Sequence, residues 1–429
     1  MYTLVFLVFA ILSVAVLIYI QTAGLRTIFE PGLIIVLLFS LCYLLPALPV
    51  LFGFNVIPLD KTDGIETVSQ YGVLFVFFFT LFYSLLKARF NKRILSASSV
   101  NVAWKPKIFL IEFLFIFIFI KLVMFVYGVG DSDNYAQQYV VRAGMPPLVN
   151  QAIALLQSIQ WMLVCLLLVT GLASGSRENY PRYIPIVFLV FFLDMLATNS
   201  RSNFVTLTIT FMAGYTFYRR PIGLKMEVAL AFVFVAAMGV FAFKRVVAGT
   251  EISFGIINIF IPSEFIMIYL NALHLISLSG TPEFVSPPGN SYIQSLVFFI
   301  PSQFADGKWD LAGWYVKQYF SDYAEAGGGL AFGIIPEAIV NWGMLSIVFQ
   351  AAVIACLFRF SYNCAAANRS RGANVWILFY LLSFSQIYQL IRSHSFAIIS
   401  GLVLGFAVPF LILFVIGRIR WFLKDPTLA

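Results

Sequence analysis

Apolar runs of near-membrane length recur along this whole chain, beginning with its opening stretch, MYTLVFLVFAILSVAVLIYI. A run of about twenty such residues, wound as a helix, spans a hydrocarbon layer of about 30 Å. A soluble chain of 429 residues with 61% hydrophobic and 11% charged side chains has too little polar surface to wet its exterior. Mean hydropathy is +0.93, in keeping with that. The runs are continuous, whereas a barrel strand alternates, so helices are expected rather than a barrel. The fold class predicted is therefore an all-α polytopic integral membrane protein. The first run has neither a basic leading region nor a small-residue cleavage site, and is read as a retained helix rather than a signal peptide.

Helices are predicted over about 2–20, 32–53, 68–86, 108–127, 152–173, 183–198, 203–218, 226–243, 331–358, 374–391 and 396–416. This makes about eleven transmembrane helices in a single membrane domain, 1–429, with one large loop at 244–329 between the eighth and ninth. Charge orients them. The segment LLKARFNKRILSASSVNVAWKPK carries Lys87, Arg89, Lys92, Arg93, Lys105 and Lys107 and no acid, which makes it cytoplasmic. Alternation then puts YRRPIGLK, RFSYNCAAANRSRGAN and the tail GRIRWFLKD inside as well, and the 244–329 loop outside. The net charge of +8 reflects these cytoplasmic loops and is no sign of nucleic-acid binding. Of the four cysteines, Cys42, Cys165 and Cys356 lie in apolar runs. Together with Cys364 they show no metal-ligand spacing, and core packing is expected of them.

The positive-inside rule leaves five basic residues unexplained. Arg201 in TNSRSNFV, Arg142 after the fourth helix, Lys244 and Arg245 at the end of the eighth, and Arg392 in QLIRSHSFAI all fall on the external side. A charge at a helix centre costs roughly 2.5–3.5 kcal/mol on insertion scales, so such residues have partners. An arginine at a helix end also serves simply by reaching for headgroups. Arg201 and Arg392, however, occupy tight turns flanked by Asn199, Ser200, Ser202 and Asn203 and by Ser393, His394 and Ser395. Guanidinium groups from separate loops on one face suit a dianionic phosphate ligand, which at a membrane surface means a lipid diphosphate.

The external loop opens apolar, with FGIINIFIPSEFIMIYLNALHLISL, a stretch that lies along the membrane or re-enters it. It passes through the Pro- and Gly-rich GTPEFVSPPGNSYIQ and reaches GKWDLAGWYVKQYFSDYAEAGGG. There Trp309, Trp314, Tyr315, Tyr319, Phe320 and Tyr323 interleave with Asp310, Lys317, Gln318, Asp322 and Glu325. Rings for the C–H faces of a sugar and polar groups for its hydroxyls would bind glycan. The alternative is an interfacial aromatic belt. Asp131 and Asp133 form a D-x-D pair of oxygen ligands, but a site made of arginines needs no metal, and none is assigned. His274, in an apolar stretch, reads as structural.

TNSRSNF resembles the short arginine turn of the O-antigen polymerase family, the bacterial oligosaccharide repeat-unit polymerases. GGGLAFGIIPEAIVNWGMLSIV, 327–348, resembles the Gly-rich entry and Glu–Asn–aromatic–Gly helix that follow that family's large external loop, and IRSHSF resembles its late arginine turn. The order of these parts also agrees, and the resemblance covers the chain from about 195 onward. One departure stands out: His394 occupies the place where many relatives have an acid just after the last arginine.

The resemblance implies a glycosyltransferase related in fold to the all-helical (GT-C type) lipid-phosphate-sugar enzymes. Its activity would be to move a growing glycan from undecaprenyl diphosphate to the non-reducing end of a new undecaprenyl-diphosphate-linked repeat unit. Such an enzyme lies in the bacterial inner membrane with its active site on the periplasmic face. It uses membrane lipid and a chain-length regulator as partners, and no cofactor. Within that chemistry, fixed cations meet the leaving phosphate. Arg201 and Arg392 are the candidates, supported by Arg142, Lys244 and Arg245. A base takes the acceptor proton. His394 is the first candidate and Glu337 the second, although an acid at a helix start also serves the dipole or holds an arginine. An O-antigen ligase would use the same donor and the same arginines. A flippase would more commonly show inverted repeats and broken helices at the midplane. Replacing Arg201 by alanine is expected to stop polymerisation while protein level and topology persist. Near-normal glycan lengths in that variant would remove its leaving-group role.

Overall fold

The computed structural model describes residues 30–47, 64–86, 106–129, 141, 144–173, 180–198, 202–218, 263–297, 309–325, 330–368 and 375–395, with isolated positions from 399 to 411. Helices and the turns and loops that join them make up these residues, and no strand occurs among them. In chain order the helices begin with α1 Pro31–Tyr43, α2 Ile65–Leu85, α3 Pro106–Val126, α4 Pro147–Ala173, α5 Tyr180–Thr198 and α6 Ser202–Tyr218. There follow α7 Ser263–Leu278, α8 Ser291–Leu296, α9 Leu311–Tyr319, α10 Ser321–Glu325, α11 Ile334–Val340, α12 Met344–Asn368, α13 Val375–Ser385 and α14 Ile387–Arg392. Four are long and apolar enough to cross a membrane: α2, the Lys107–Val126 part of α3, the Leu148–Leu172 part of α4, and α12. The helices predicted at 2–20 and 226–243, and most of 396–416, lie outside the described residues.

The outer surface is apolar where a soluble protein would be wet. Ile111, Phe115, Ile118, Leu122 and Phe125 recur every three or four residues along one face of α3, and each is more than half exposed. Hydrocarbon is the neighbour that suits such a stripe. Inside, aromatic rings join α1 to α2. Phe39 stacks on Phe75 at 4.0 Å between centroids, and Phe79 and Tyr83 continue the column along α2. The two helices run antiparallel, for Leu44 lies against Gly72 and Glu30 meets Tyr83. Gly214 of α6 leaves room for Leu172 and Leu381, since a Cβ there would lie 2.9 Å from Leu172. Cys42, Cys165 and Cys364 are buried thiols, as expected of core residues, while Cys356 faces outward from α12.

Three departures from the predicted spans bear on the site. The apolar opening of the 244–329 stretch contains α7, whose Ile268, Tyr269, Ala272, Leu273 and Leu275 are fully buried. A helix apolar on most of its circumference has to be covered, and α7 packs on α1, α2 and α11. The helix predicted over 331–358 is divided into α11 and α12 by a turn at 341–343, where Gly343 takes φ +60°. The helix predicted over 374–391 is likewise divided, at Gln386, into α13 and α14.

Charges inside the bundle are compensated there. Glu30 caps α1 by accepting from the Gly32 and Leu33 amides at 2.9 and 3.2 Å, and it also accepts the Tyr83 hydroxyl proton at 2.6 Å. Arg359 of α12 brings Nη1 to 3.7 Å from the same carboxylate and lays its guanidinium 4.9 Å from the Tyr83 ring centre. A second ion pair, Lys121 with Asp194, joins α3 to α5.

At the other end of α1, about 20 Å away by helix rise, α11 begins at Gly333. Its φ is +86°, and a Cβ there would lie 2.2 Å from Tyr43 Oη and 2.7 Å from Ile268 Cγ2. Only glycine satisfies both the conformation and the contact. The Gly333→Ala variant should lose roughly 2–4 kcal/mol through backbone strain and overpacking. The loss would be read as a lower melting temperature in detergent, with Tyr43→Phe recovering part of it. An alanine variant that melts with the parent would show that this contact does not hold α11.

Candidate functional site

The site is built around a buried carboxylate. Glu337 stands in the first turn of α11, where the helix dipole favours an acid, and is 1% exposed. Its Oε1 accepts hydrogen bonds from the Ser291 hydroxyl at 2.7 Å and from the Ser395 hydroxyl. Its Oε2 accepts from the Ser395 amide at 2.9 Å and from Gln350 Nε2 at 3.0 Å. One residue thus holds α8, α12 and the turn after α14. One helical turn further on, Asn341 donates to the Ser291 hydroxyl at 2.8 Å and accepts from the Ser291 amide at 3.0 Å. Asn290 caps α8, and Ser295 lies 3.1 Å from Ser395, oxygen to oxygen.

The turn so held carries two of the expected residues. Arg392 ends α14, half-buried, with Nη1 donating to the Tyr388 hydroxyl at 3.2 Å. His394 is 5% exposed, and its Nε2 lies 2.7 Å from Asp310 Oδ1, an ion pair whenever the ring is protonated. Asp310 is the N-cap of α9, accepting from the Gly313 amide at 2.7 Å. Burial alone would raise the Asp310 carboxyl, but the His394 imidazole and the Gly313 amide outweigh it and hold the group below the ordinary carboxylate range.

The aromatic segment has two sides. Tyr315 is fully buried: its hydroxyl lies 2.8 Å from His274 Nδ1, and its ring packs on Tyr319, Phe320 and Phe332. This corrects its assignment to a glycan platform. The α9 periodicity turns Tyr315 toward α7, while Trp309 and Trp314 stay partly exposed. Tyr319 is partly exposed too, but its hydroxyl ties the Val285 backbone, accepting from the amide at 3.0 Å. His274 is structural, as expected, and orients Tyr315.

Arg142, Arg201, Lys244, Arg245, Asp131 and Asp133, and the side chain of Tyr323, lie outside the described residues. Of the others, the structure brings Arg392, His394, Glu337 and Trp309 to one end of the bundle. It gives Glu337 a place different from the one a base needs, because both oxygens already accept two hydrogen bonds and no face is open to solvent. Sequence reasoning missed Ser291, Gln350 and Ser395 as partners of the Glu337 carboxylate, Asn341 as a donor to the Glu337 backbone carbonyl at 2.8 Å, and Asp310 as the partner of His394. Only Asn341, four residues after Glu337 on the same helical path, left a readable signal.

Linkage gives the sign of the Asp310 effect. Its folded-state value is depressed, so its contribution is present above the ordinary carboxyl range, near 3.9. That contribution is lost as pH falls through the folded value. Asp310 is half exposed, so the contact with His394 is worth on the order of 1 kcal/mol or less. Asp310→Asn keeps a capping oxygen but loses the charge. Amide exchange in α9 should therefore rise up to about fivefold near neutral pH, by that energy, and wild type and variant should converge in acid. Equal exchange at neutral pH would remove Asp310 as a tether of α9. Set beside known proteins, the chain matches no family model, no curated protein and no solved structure.

Proposed function

We propose that this protein polymerises lipid-linked oligosaccharide repeat units at the extracytoplasmic face of the bacterial inner membrane. Growing glycan leaves undecaprenyl diphosphate and joins the non-reducing end of a new lipid-linked repeat unit. One observation carries the reading. The two late segments that resemble the O-antigen polymerase family, 327–348 and 391–396, touch through the Ser395 amide and Glu337 at 2.9 Å. The external aromatic segment reaches the same spot, where Asp310 lies 2.7 Å from His394. Cation, imidazole, carboxylate and partly exposed tryptophans therefore share one end of an apolar bundle.

In this scheme the acceptor hydroxyl attacks the anomeric carbon of the donor glycan. Its proton passes to His394, whose ring Asp310 orients. The bond from the anomeric carbon to the phosphate oxygen breaks, and the charge that builds on the departing diphosphate meets Arg392 and Arg201. Arg142, Lys244 and Arg245 are the sequence's further candidates for meeting that charge. Trp309 and Trp314 offer ring faces to the sugars, with Tyr319 beside them and Tyr323 kept as a candidate from the sequence. No step calls for a metal.

The test is the surface glycolipid of cells lacking the gene, displayed on a gel. A ladder that collapses to one repeat unit on its anchor supports the polymerase. Loss of every repeat-bearing band would instead make the protein a ligase, a flippase or an earlier enzyme. In complemented cells, His394→Ala should reduce chain extension about 100-fold or more, in the range of general-base contributions. Wild-type ladders from that variant would exclude His394 as the base.

A further inference from the structure

We infer that Glu337 is a positioning residue, an acceptor-only clamp that seats the external helix α8 and the arginine turn on a single carboxylate. The inference rests on the polymerase reading for what the turn does, but on geometry alone for the clamp. Both Glu337 oxygens are saturated by donors: two hydroxyls, one backbone amide and one carboxamide. No acid or base faces the carboxylate at hydrogen-bonding distance among these contacts, so nothing there is arranged for proton exchange with a substrate. The donors come from three places far apart in sequence: Ser291 on α8, Gln350 on α12, and Ser395 just beyond α14.

Two consequences follow from the donor set. First, the turn bearing Arg392 and His394 has its following residue fixed through both backbone and side chain, which is stronger location than either bond alone supplies. Second, α8 contains only six residues and is too short to hold itself as a helix. It is kept in place by Ser291 on Glu337 and Asn341, and by Ser295 against Ser395. Cutting the hydroxyl contacts therefore loosens α8 and the arginine turn together. The carboxylate itself remains, fully able to accept a proton if that were its task.

This separates a clamp from a base. The double variant Ser291→Ala/Ser395→Ala keeps Glu337 and removes two of its four donors. Ser395→Ala alone is the milder second variant, should the double variant fold poorly. Ser395→Thr restores the hydroxyl. Full-length protein in detergent is followed by amide exchange at 291–296 and 393–395, and gene-deleted cells expressing each variant are followed by the glycolipid ladder. The expected result is faster exchange in both segments at once. It is accompanied by a fall in chain extension of roughly 10- to 100-fold, as misplacement of reacting groups produces, and by recovery of both with Ser395→Thr.

Unchanged exchange in the alanine variants overturns the clamp, whatever the ladder shows. Faster exchange with a normal ladder overturns the positioning role and leaves the polymerase reading intact. Faster exchange in a protein whose gene deletion leaves the ladder unaltered upholds the clamp and removes the polymerase reading.

Discussion

A charge inside this bundle has no water to turn to, and the helices are arranged around that fact. Among the described residues, buried carboxylates are answered from elsewhere in the chain: Glu30 by Tyr83 and Arg359, Asp194 by Lys121, and Glu337 by four donors. Removing one member of such a group is costly because the other stays buried without its compensation. The apolar contacts supply most of the packing area but are permissive about registration, since one leucine replaces another with little change. The polar groups are not permissive. They define which end of α1 meets α2 and α12, and which residue of α11 faces the turn after α14.

Backbone breaks do the remaining placement. A continuous helix over 331–358 would carry its side chains past the loop helices at a regular pitch. The turn at 341–343 stops α11 after two turns, and Gly333 lets its entry pass against Tyr43 and Ile268. Glu337 therefore sits at a short, tightly seated helix between two non-helical positions, with Asn341 free of the α12 path and able to bond α8. Rigid apolar elements carry the candidate site, and irregular backbone at their ends brings its polar groups together.

Much of the architecture was legible from residues. The runs at 68–86, 108–127, 152–173, 183–198 and 203–218 became α2 to α6 with boundaries shifted by a few residues, because long apolar periodicity outweighs local detail. The break within 331–358 leaves no hydropathy signal, because Asn341 and Gly343 sit in an apolar context that still reads as helix. The burial of α7 is not decided by its sequence, since a run of its length suits a helix lying along the membrane or one re-entering it. At the site, residue type located Arg392, His394 and Glu337 in one region but not their roles. Tyr315 and Trp314 are neighbours of similar chemistry, and only their angular position on α9 decides which is core and which is surface. The link from Asp310 to His394 joins loop to turn across many residues, and no local pattern records such a pair.

The ion pairs also have a history during synthesis. Glu30 enters the membrane many helices before Arg359, which pairs with it. Lys121 must likewise wait for Asp194 two helices later. Until the partner arrives, each early helix carries an ionisable group without its full compensation in or beside lipid, a disfavoured state. The early helices are thus expected to linger beside the insertion machinery, or to sit shallow, and to settle only as the later helices join them. The bundle would then be assembled by capture, with α12 as the piece that closes it.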